Sequence, residues 1–334
     1  NLDFNIMTPE EVSAFYSSRA VQGDISLIET NKGLFDGVQL DGSDSNAAMA
    51  KLLKTPVILV VDTNGMTRGI APLLQGYVAF DPDVNIAGII LNKVGGARHE
   101  SKLRAAVKAY TDIPVLGAVG KDPGLEIGER HLGLTTPAES GELAKMIETF
   151  GRIVGNSVDL DRIKAISGNA VTLPMRKIST ADHQGRKVRI GIAKDTAFGF
   201  YYADDLESFA DNGAELVAID TLNDAALPEI DGLFLGGGFP ETQMLQLSQN
   251  VSLMQNIKSS IEAGLPTYAE CGGLMYLCET LSWQGNQQKM VGVVPGDAIM
   301  HAKPKGRGYA EFTQSSMHPW ASASQKIKAH EFHY

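Results

Sequence analysis

Three apolar runs in the first half of the chain limit what it can fold into. Pro56-Val57-Ile58-Leu59-Val60-Val61-Asp62, Asn85-Ile86-Ala87-Gly88-Ile89-Ile90-Leu91-Asn92-Lys93 and Pro114-Val115-Leu116-Gly117-Ala118-Val119 lack the alternation of a half-buried strand. Helical segments around Leu73–Val78 and His99–Tyr110 separate them. Continuous strands alternating with helices predict a parallel sheet covered on both faces. Ahead of them, Thr8-Pro9-Glu10-Glu11 starts a helix, Asp24–Glu29 reads as a short strand ending in a carboxylate, Gly33–Gly37 as a loop and Asn46–Leu53 as a helix. The pattern begins again at Val188–Lys194 and continues through Glu215–Ile219 and Gly232–Leu235. The fold class is α/β with two domains. The expected boundaries are 1–150, a linker over 151–187 and 188–334, with one short helix at Val158–Ile166 inside the linker.

Composition narrows the function classes. A chain of 334 residues with 43% hydrophobic and 20% charged residues is a soluble globular protein. Net charge is −10 without a Lys/Arg-rich run, which argues against a nucleic-acid partner. No apolar run reaches the ~20 residues of a membrane span, and no signal peptide opens the chain. The two cysteines, Cys271 and Cys278, would lie about 10 Å apart on one helix, too far for a disulfide. A reduced, cytoplasmic setting follows, and no metal-ligand spacing surrounds either thiol.

In such sheets, functional groups sit at the carboxyl ends of strands. Here those ends carry Glu29, Asp62 and Asn92-Lys93. Each alone is most simply a turn cap; together they favour a nucleotide site with Mg²⁺. A Gly-x-x-x-x-Gly-Lys-Ser/Thr phosphate loop is absent from the sequence, the nearest approach being Gly120-Lys121-Asp122. Either the domain binds no nucleoside triphosphate, or the motif precedes Asn1.

The second half turns on Pro266-Thr267-Tyr268-Ala269-Glu270-Cys271-Gly272-Gly273-Leu274-Met275-Tyr276-Leu277. A β run stops at a cysteine, two glycines follow, and a helix begins. That is a strand–turn–helix with a thiol on the turn, the layout of a nucleophile. A buried, inert cysteine is the plainer alternative. Gly236-Gly237-Gly238 closes another strand and can bring backbone N–H groups to a ligand, as an oxyanion hole requires. The base for a thiol would come from His330 or His333, and spacing does not choose between them. Asp195–Tyr202 is an aromatic loop, either a packed helix start or a platform for a large flat ligand.

Taken together, these segments resemble the cobyrinic acid a,c-diamide synthases, glutamine-dependent amidoligases of corrinoid biosynthesis. The resemblance runs along nearly the whole chain. Its carriers include Glu29 with Gly33–Gly37, Leu91-Asn92-Lys93-Val94-Gly95, Glu129–Leu134, Gly236–Glu241, Ala269–Leu277 and His330-Glu331-Phe332-His333-Tyr334. It implies a P-loop domain similar to dethiobiotin synthetase, using ATP and Mg²⁺ to activate a corrinoid carboxylate. It also implies a class I-like glutamine amidotransferase domain that releases ammonia from glutamine. Residue by residue, Cys271 matches the nucleophile, His333 the base, and Gly237, Gly238 and Gly272 the oxyanion hole. Glu29 matches the Mg²⁺ carboxylate and Asn92 a nucleotide-base contact, with Lys93 and Asp62 beside it. Lys194, Asp195, Phe198, Tyr201 and Tyr202 match substrate-side contacts, and the aromatic loop is expected between the two domains. Two departures stand out: Glu29-Thr30 replaces the family's Glu-Gly, and both the P-loop segment and the C-terminal end are missing. The same chemistry on nickel-sirohydrochlorin, a stand-alone glutaminase and a non-catalytic nucleotide- or corrinoid-binding remnant are the alternatives; a homodimer is an assembly left open.

Overall fold

The structure is a computed structural model that describes residues 1–30, 32–126, 140–171, 173, 187–314 and 326–334, with backbone alone for 140–143. The chain divides into two compact units, Leu2–Gly128 with Gly141–Ile178, and Ser179–Tyr334 with Asn1 and Glu129–Ser140.

The first unit opens with α1 (Pro9–Ala20). Its end is fixed by a reciprocal cap: Glu11 N–H donates to Thr8 Oγ1 and Thr8 N–H donates to the Glu11 carboxylate. α2 (Asn46–Leu53) starts at the Ser45 cap and stops where Lys54 turns left-handed. Three parallel strands follow, β1 (Val57–Asp62), β2 (Ile86–Val94) and β3 (Val115–Gly120), joined by α3 (Ile70–Phe80) and α4 (Ala97–Tyr110). β2 is central, with Val60 opposite Ile90 on one side and Ile90 opposite Gly117 on the other. Ile70 and Leu74 of α3, Ile89 and Leu91 of β2, and Leu103 and Val107 of α4 pack into one core.

Two expectations need correction. β1 is not fully buried: it is the edge strand, and Val60 is 63% exposed. Asp24–Glu29 is not a strand, because no neighbour among the described residues pairs with it, and Leu27 is 90% exposed. Helix also runs through residue 150, the expected domain boundary. α5 (Ser140–Ser157) and α6 (Leu160–Ser167) fall with the first unit. They are anchored on β3, where Asp159 N–H donates to the Leu116 carbonyl at 2.7 Å and Gly117 bridges Val158. The remainder of the expected linker, 172 and 174–186, and the stretch 129–134 lie outside the described residues.

The second unit carries β4 (Val188–Ala193), β5 (Phe198–Phe200), α7 (Ala203–Asp211), β6 (Ala214–Ile219), β7 (Gly232–Leu235), β8 (Gly237–Gly238), α8 (Met244–Gln249), α9 (Val251–Glu262), β9 (Thr267–Ala269) and α10 (Gly272–Leu277). Its parallel sheet runs β6-β4-β7-β9. β5 and β8 pair antiparallel beside it. β10 (Cys278–Trp283), β11 (Asn286–Lys289) and β12 (Val294–Ile299) form a second sheet, and β13 (Gly306–Thr313) with β14 (Lys326–His333) a hairpin. Phe198, Ile219, Leu235, Leu247, Ile257, Tyr276 and Leu281 fill the core. Cys278 does not share a helix with Cys271, as the sequence suggested. α10 ends at Leu277, and Cys278 opens β10 as a buried residue; both thiols are free.

Gly117 tests the docking of α5 and α6. A Cβ there would lie 2.7 Å from the Ser157 carbonyl oxygen and 2.8 Å from Val158 Cα, both backbone atoms. Gly117→Ala is expected to destabilise the first unit by about 1–3 kcal/mol. A urea midpoint equal to that of the parent protein would show that the helices are not seated on β3.

Candidate active site

β9 delivers the thiol. Its hydrogen bonding continues one residue past the strand, Glu270 N–H donating to the Leu235 carbonyl at 3.0 Å. Cys271 then adopts φ 48°, ψ −119°, where a non-glycine residue is strained. α10 starts at once, with Gly273 N–H donating to the Gly236 carbonyl at 3.0 Å. Only glycine fits beside the cysteine. A Cβ on Gly272 would sit 3.0 Å from Gly238 N, and one on Gly273 2.2 Å from the Leu235 oxygen. The facing loop is as tight, since a Cβ on Gly238 would lie 2.0 Å from the Ala197 oxygen. This is a sharp strand-to-helix turn with a thiol at its apex, the geometry of a nucleophile elbow.

The sulfur reaches solvent but stands in a well of protein atoms. Desolvation is the largest influence and pushes the thiol pKa up; Gly272 and Gly238 N–H groups pull it down, and Glu241 and Glu270 push it up. A Cβ built on Gly237 would lie 3.7 Å from Sγ. The three glycines named from the sequence therefore surround the thiol. The N–H groups of Gly238 and Gly272 suit a negative charge forming on sulfur or on an oxygen it attacks.

The histidine is placed differently. His333 is on β14, more than half exposed, with Nδ1 3.4 Å from Glu331 Oε1, and no hydrogen bond joins it to Cys271. His330 packs against Tyr309 across the hairpin.

The aromatic loop divides. Phe198 is 0% exposed and packs on Tyr276, so it is a core side chain and cannot meet a ligand. Asp195 is consumed locally: its carboxylate accepts from Ala197 N–H, Phe198 N–H, Thr221 N–H and Thr221 Oγ1. Tyr201 donates to the Ala193 carbonyl at 2.6 Å and accepts from Gly236 N–H, and burial pushes its pKa up to about 12. These bonds make Asp195 and Tyr201 braces of the glycine loop. Lys194 and Tyr202 remain exposed. The expectation of an aromatic platform is corrected for Phe198, and the reason is packing: a loop with Ala197 and Phe198 pointing inward completes the core.

In the first unit, the strand ends do gather polar groups. Lys93 Nζ pairs with Asp62 at 2.7 Å, and Asp62 Oδ1 accepts from Asn64 N–H. The Lys93 hydrogen bond is the main cause of an Asp62 pKa below the ordinary carboxylate value. Lys121 Nζ donates to Asn64 Oδ1 at 2.7 Å, and Asn92 Oδ1 accepts from Lys93 N–H. Beside them opens a cavity of about 530 Å³ walled by Val94, Gly95, Gly96, Ala97, Glu100, Ala118, Gly120 and Lys121, a size suited to a small ligand. Glu29 does not end a strand; it is exposed on an irregular segment. Among the described residues no group of three His, Cys, Asp or Glu side chains is poised around a metal.

One residue escaped the sequence reading. Glu241 is 3% exposed, in the short 3₁₀ turn whose Pro240 packs on Gly272. Burial pushes its pKa up to about 7. Nothing in Phe239-Pro240-Glu241 announces a buried acid, since glutamate after proline ordinarily caps a surface turn.

Residues 189–334 match the CobB/CobQ-like glutamine amidotransferase domain, and residues 6–127 match an AAA domain. Elbow and matches together define a two-part glutamine amidotransferase with a P-loop-type domain. The cobyrinate a,c-diamide synthase of Magnetococcus marinus is 43% identical over all of this chain and 73% of its own length. Those of Caldanaerobacter subterraneus subsp. tengcongensis and Listeria innocua are 38% and 39% identical, with all of this chain and 74% of each relative covered. The chain belongs to the cobyrinate a,c-diamide synthase family.

Glu241 yields a measurable pH dependence. Its folded-state pKa lies above the unfolded one, so the folded state holds the proton longer. Its contribution is fully present below pH 4.5 and is lost as pH rises to about 7, a change of roughly 3 kcal/mol. Glu241→Gln is expected to flatten the stability–pH curve over that window, read by urea unfolding at pH 5, 6 and 8. Parallel curves for the two proteins would refute the assignment.

Proposed function

We propose that this protein amidates the a- and c-carboxylates of cobyrinate, using ATP and ammonia taken from glutamine. One observation carries the reading: Cys271 sits strained at an elbow with Gly238 and Gly272 N–H groups on its sulfur, in a chain of this family. The amidotransferase part is assigned to 188–334 and the synthetase part to 1–150 extended by the rest of α5 and by α6, with the remainder of 151–187 joining them. The reaction runs in the cytoplasm, where ATP and glutamine are supplied.

Cys271 attacks the side-chain carbonyl carbon of glutamine. The thioester forms as the C–N bond breaks, and the nitrogen leaves as ammonia with the proton lost by the thiol. Charge on the carbonyl oxygen is taken by N–H groups of the Gly237, Gly238 and Gly272 surround. Water then releases glutamate. Because surrounding groups hold the thiol pKa up, a base is needed, and His333 is assigned that role from the family resemblance. The ammonia attacks the corrinoid carboxylate after its activation as an acyl phosphate, with ADP and phosphate as the other products.

On the nucleotide side, the small-residue cavity beside Asn92 fits a base, with Lys93 and Lys121 as nearby cations. Mg²⁺ uses one or two carboxylates plus phosphate oxygens and water, so an ionised Asp62 and an exposed Glu29 suit it without a dedicated cage. Those two residues would hold it, and the ion would neutralise phosphate charge. Lys194 and Tyr202 are the exposed candidates for the corrinoid.

Cys271→Ser is expected to lose glutamine-dependent amidation of cobyrinate, by about 10³-fold or more, and to keep amidation with ammonium salt at raised pH. Cys278→Ser, buried in the core, should retain both activities. Full glutamine-dependent activity in Cys271→Ser would overturn the nucleophile assignment.

A further inference from the structure

The turn beside the cavity of the first unit is held by a side chain that the reaction above does not use. The backbone turns left-handed at Lys93, φ 57°, one residue before β2 ends, and again at Gly96, φ 114°, just before α4. The first is costly for a residue with a side chain, so the loop keeps its shape only under outside constraint.

His99 supplies that constraint. Gly95 N–H donates to its Nδ1 at 2.9 Å, and its Nε2 lies 2.5 Å from the Met66 carbonyl oxygen. A carbonyl only accepts and an N–H only donates, so Nε2 carries the proton and Nδ1 the lone pair. The ring joins two loops from adjacent strand ends: Gly95 follows β2, and Met66 follows β1. One further backbone bond ties the same loops, Thr63 N–H to the Asn92 carbonyl at 2.9 Å.

The loop so held is a wall of the cavity. Gly95, Gly96, Ala97, Ala118 and Gly120 line it with backbone and methyl groups, and Val94, Glu100 and Lys121 complete the wall. A Cβ built on Gly96 would meet no atom within 4 Å. A slot walled largely by backbone and small side chains admits a flat ring, and its selectivity depends on where the Gly95–Ala97 wall stands relative to Glu100 and Lys121. His99 itself is not among the lining residues.

We propose that His99 is the positioning residue of the base slot: by clamping Gly95 to Met66 it fixes the slot wall and hence which nucleobase is accepted, without touching the nucleotide. This rests on the nucleotide reading given above. A displaced wall weakens binding of the correct base and relaxes rejection of others, while a saturating nucleotide still reacts.

Three variants separate this from a general loss of stability. His99→Ala removes both bonds. His99→Asn keeps an acceptor near Nδ1, and His99→Gln keeps a donor near Nε2, so each can hold one loop but not both. Amidation of cobyrinate is measured with ATP and with GTP, beside nucleotide-free glutamine hydrolysis and the melting temperature. All three variants are expected to raise KM for ATP about tenfold, leave kcat within about twofold and narrow the ATP-over-GTP preference by a similar factor. Glutamine hydrolysis should not change. The proposal is overturned if KM for ATP and base preference stay at parent values, if Asn or Gln alone restores them, or if both activities fall together with the melting temperature. A parent enzyme whose amidation needs no nucleotide would instead overturn the nucleotide reading itself, and that is visible before any variant is compared.

Discussion

The second unit depends on backbone meeting backbone at the thiol. Gly236–Gly238 at the end of β7 and Cys271–Gly273 at the end of β9 approach so closely that carbonyl oxygens occupy the space of side chains. A Cβ would stand 2.0 Å from the Ala197 oxygen at Gly238 and 2.2 Å from the Leu235 oxygen at Gly273. Contacts that short do not occur between real side chains and backbone, so glycine is a condition of the fold there. The same closeness puts N–H groups on the sulfur. Structure and chemistry ask for one arrangement, and the strain at Cys271 is held by sheet on one side and helix on the other.

Around that contact, the neighbouring side chains act as braces. Asp195 takes four donors and locks the turn after β4, and Tyr201 spans from the Ala193 carbonyl to Gly236 N–H. Read from sequence, Asp-x-Ala-Phe-x-Phe-Tyr-Tyr suggests a ligand platform, because aromatic density is visible and direction is not. Direction is set by β5 pairing with β8, which turns Phe198 into the core and leaves Tyr202 outside.

That contrast explains what was legible. The parallel strands were, because an uninterrupted apolar run needs cover on both faces and little else satisfies it. The elbow was, because Cys-Gly-Gly after a β run has few other uses. Asp24–Glu29 misled because alternation describes a strand only when a partner exists, and pairing is a property of the whole sheet. Residues 140–157 were missed as a helix because Gly151 and Gly155 blur its pattern, though docking on Gly117 overrides their weak propensity. Glu241 was invisible because burial of a single carboxylate leaves no periodic trace. His99 reads as a helix start and lies in the first turn of α4, which begins at Ala97; its hydrogen bonds to two loops have no signature in spacing.

The acids near the thiol add a further step. Burial holds Cys271 toward its protonated form, Glu241 and Glu270 add a smaller push the same way, and two backbone N–H groups draw it the other way. The N–H groups are fixed by the fold, and they favour whichever negative charge is nearest. In the proposed attack on glutamine, charge moves from sulfur to the carbonyl oxygen, where donors fixed by the fold can stabilise it. A thiol poised in this manner is a poor nucleophile toward solvent and small oxidants, since the thiolate is the reactive form. Burial thus holds the thiol back, with a smaller push from the two acids, and the turn geometry supplies stabilisation where charge develops. An amidotransferase needs that combination, because ammonia released without an acceptor is glutamine hydrolysed to no end.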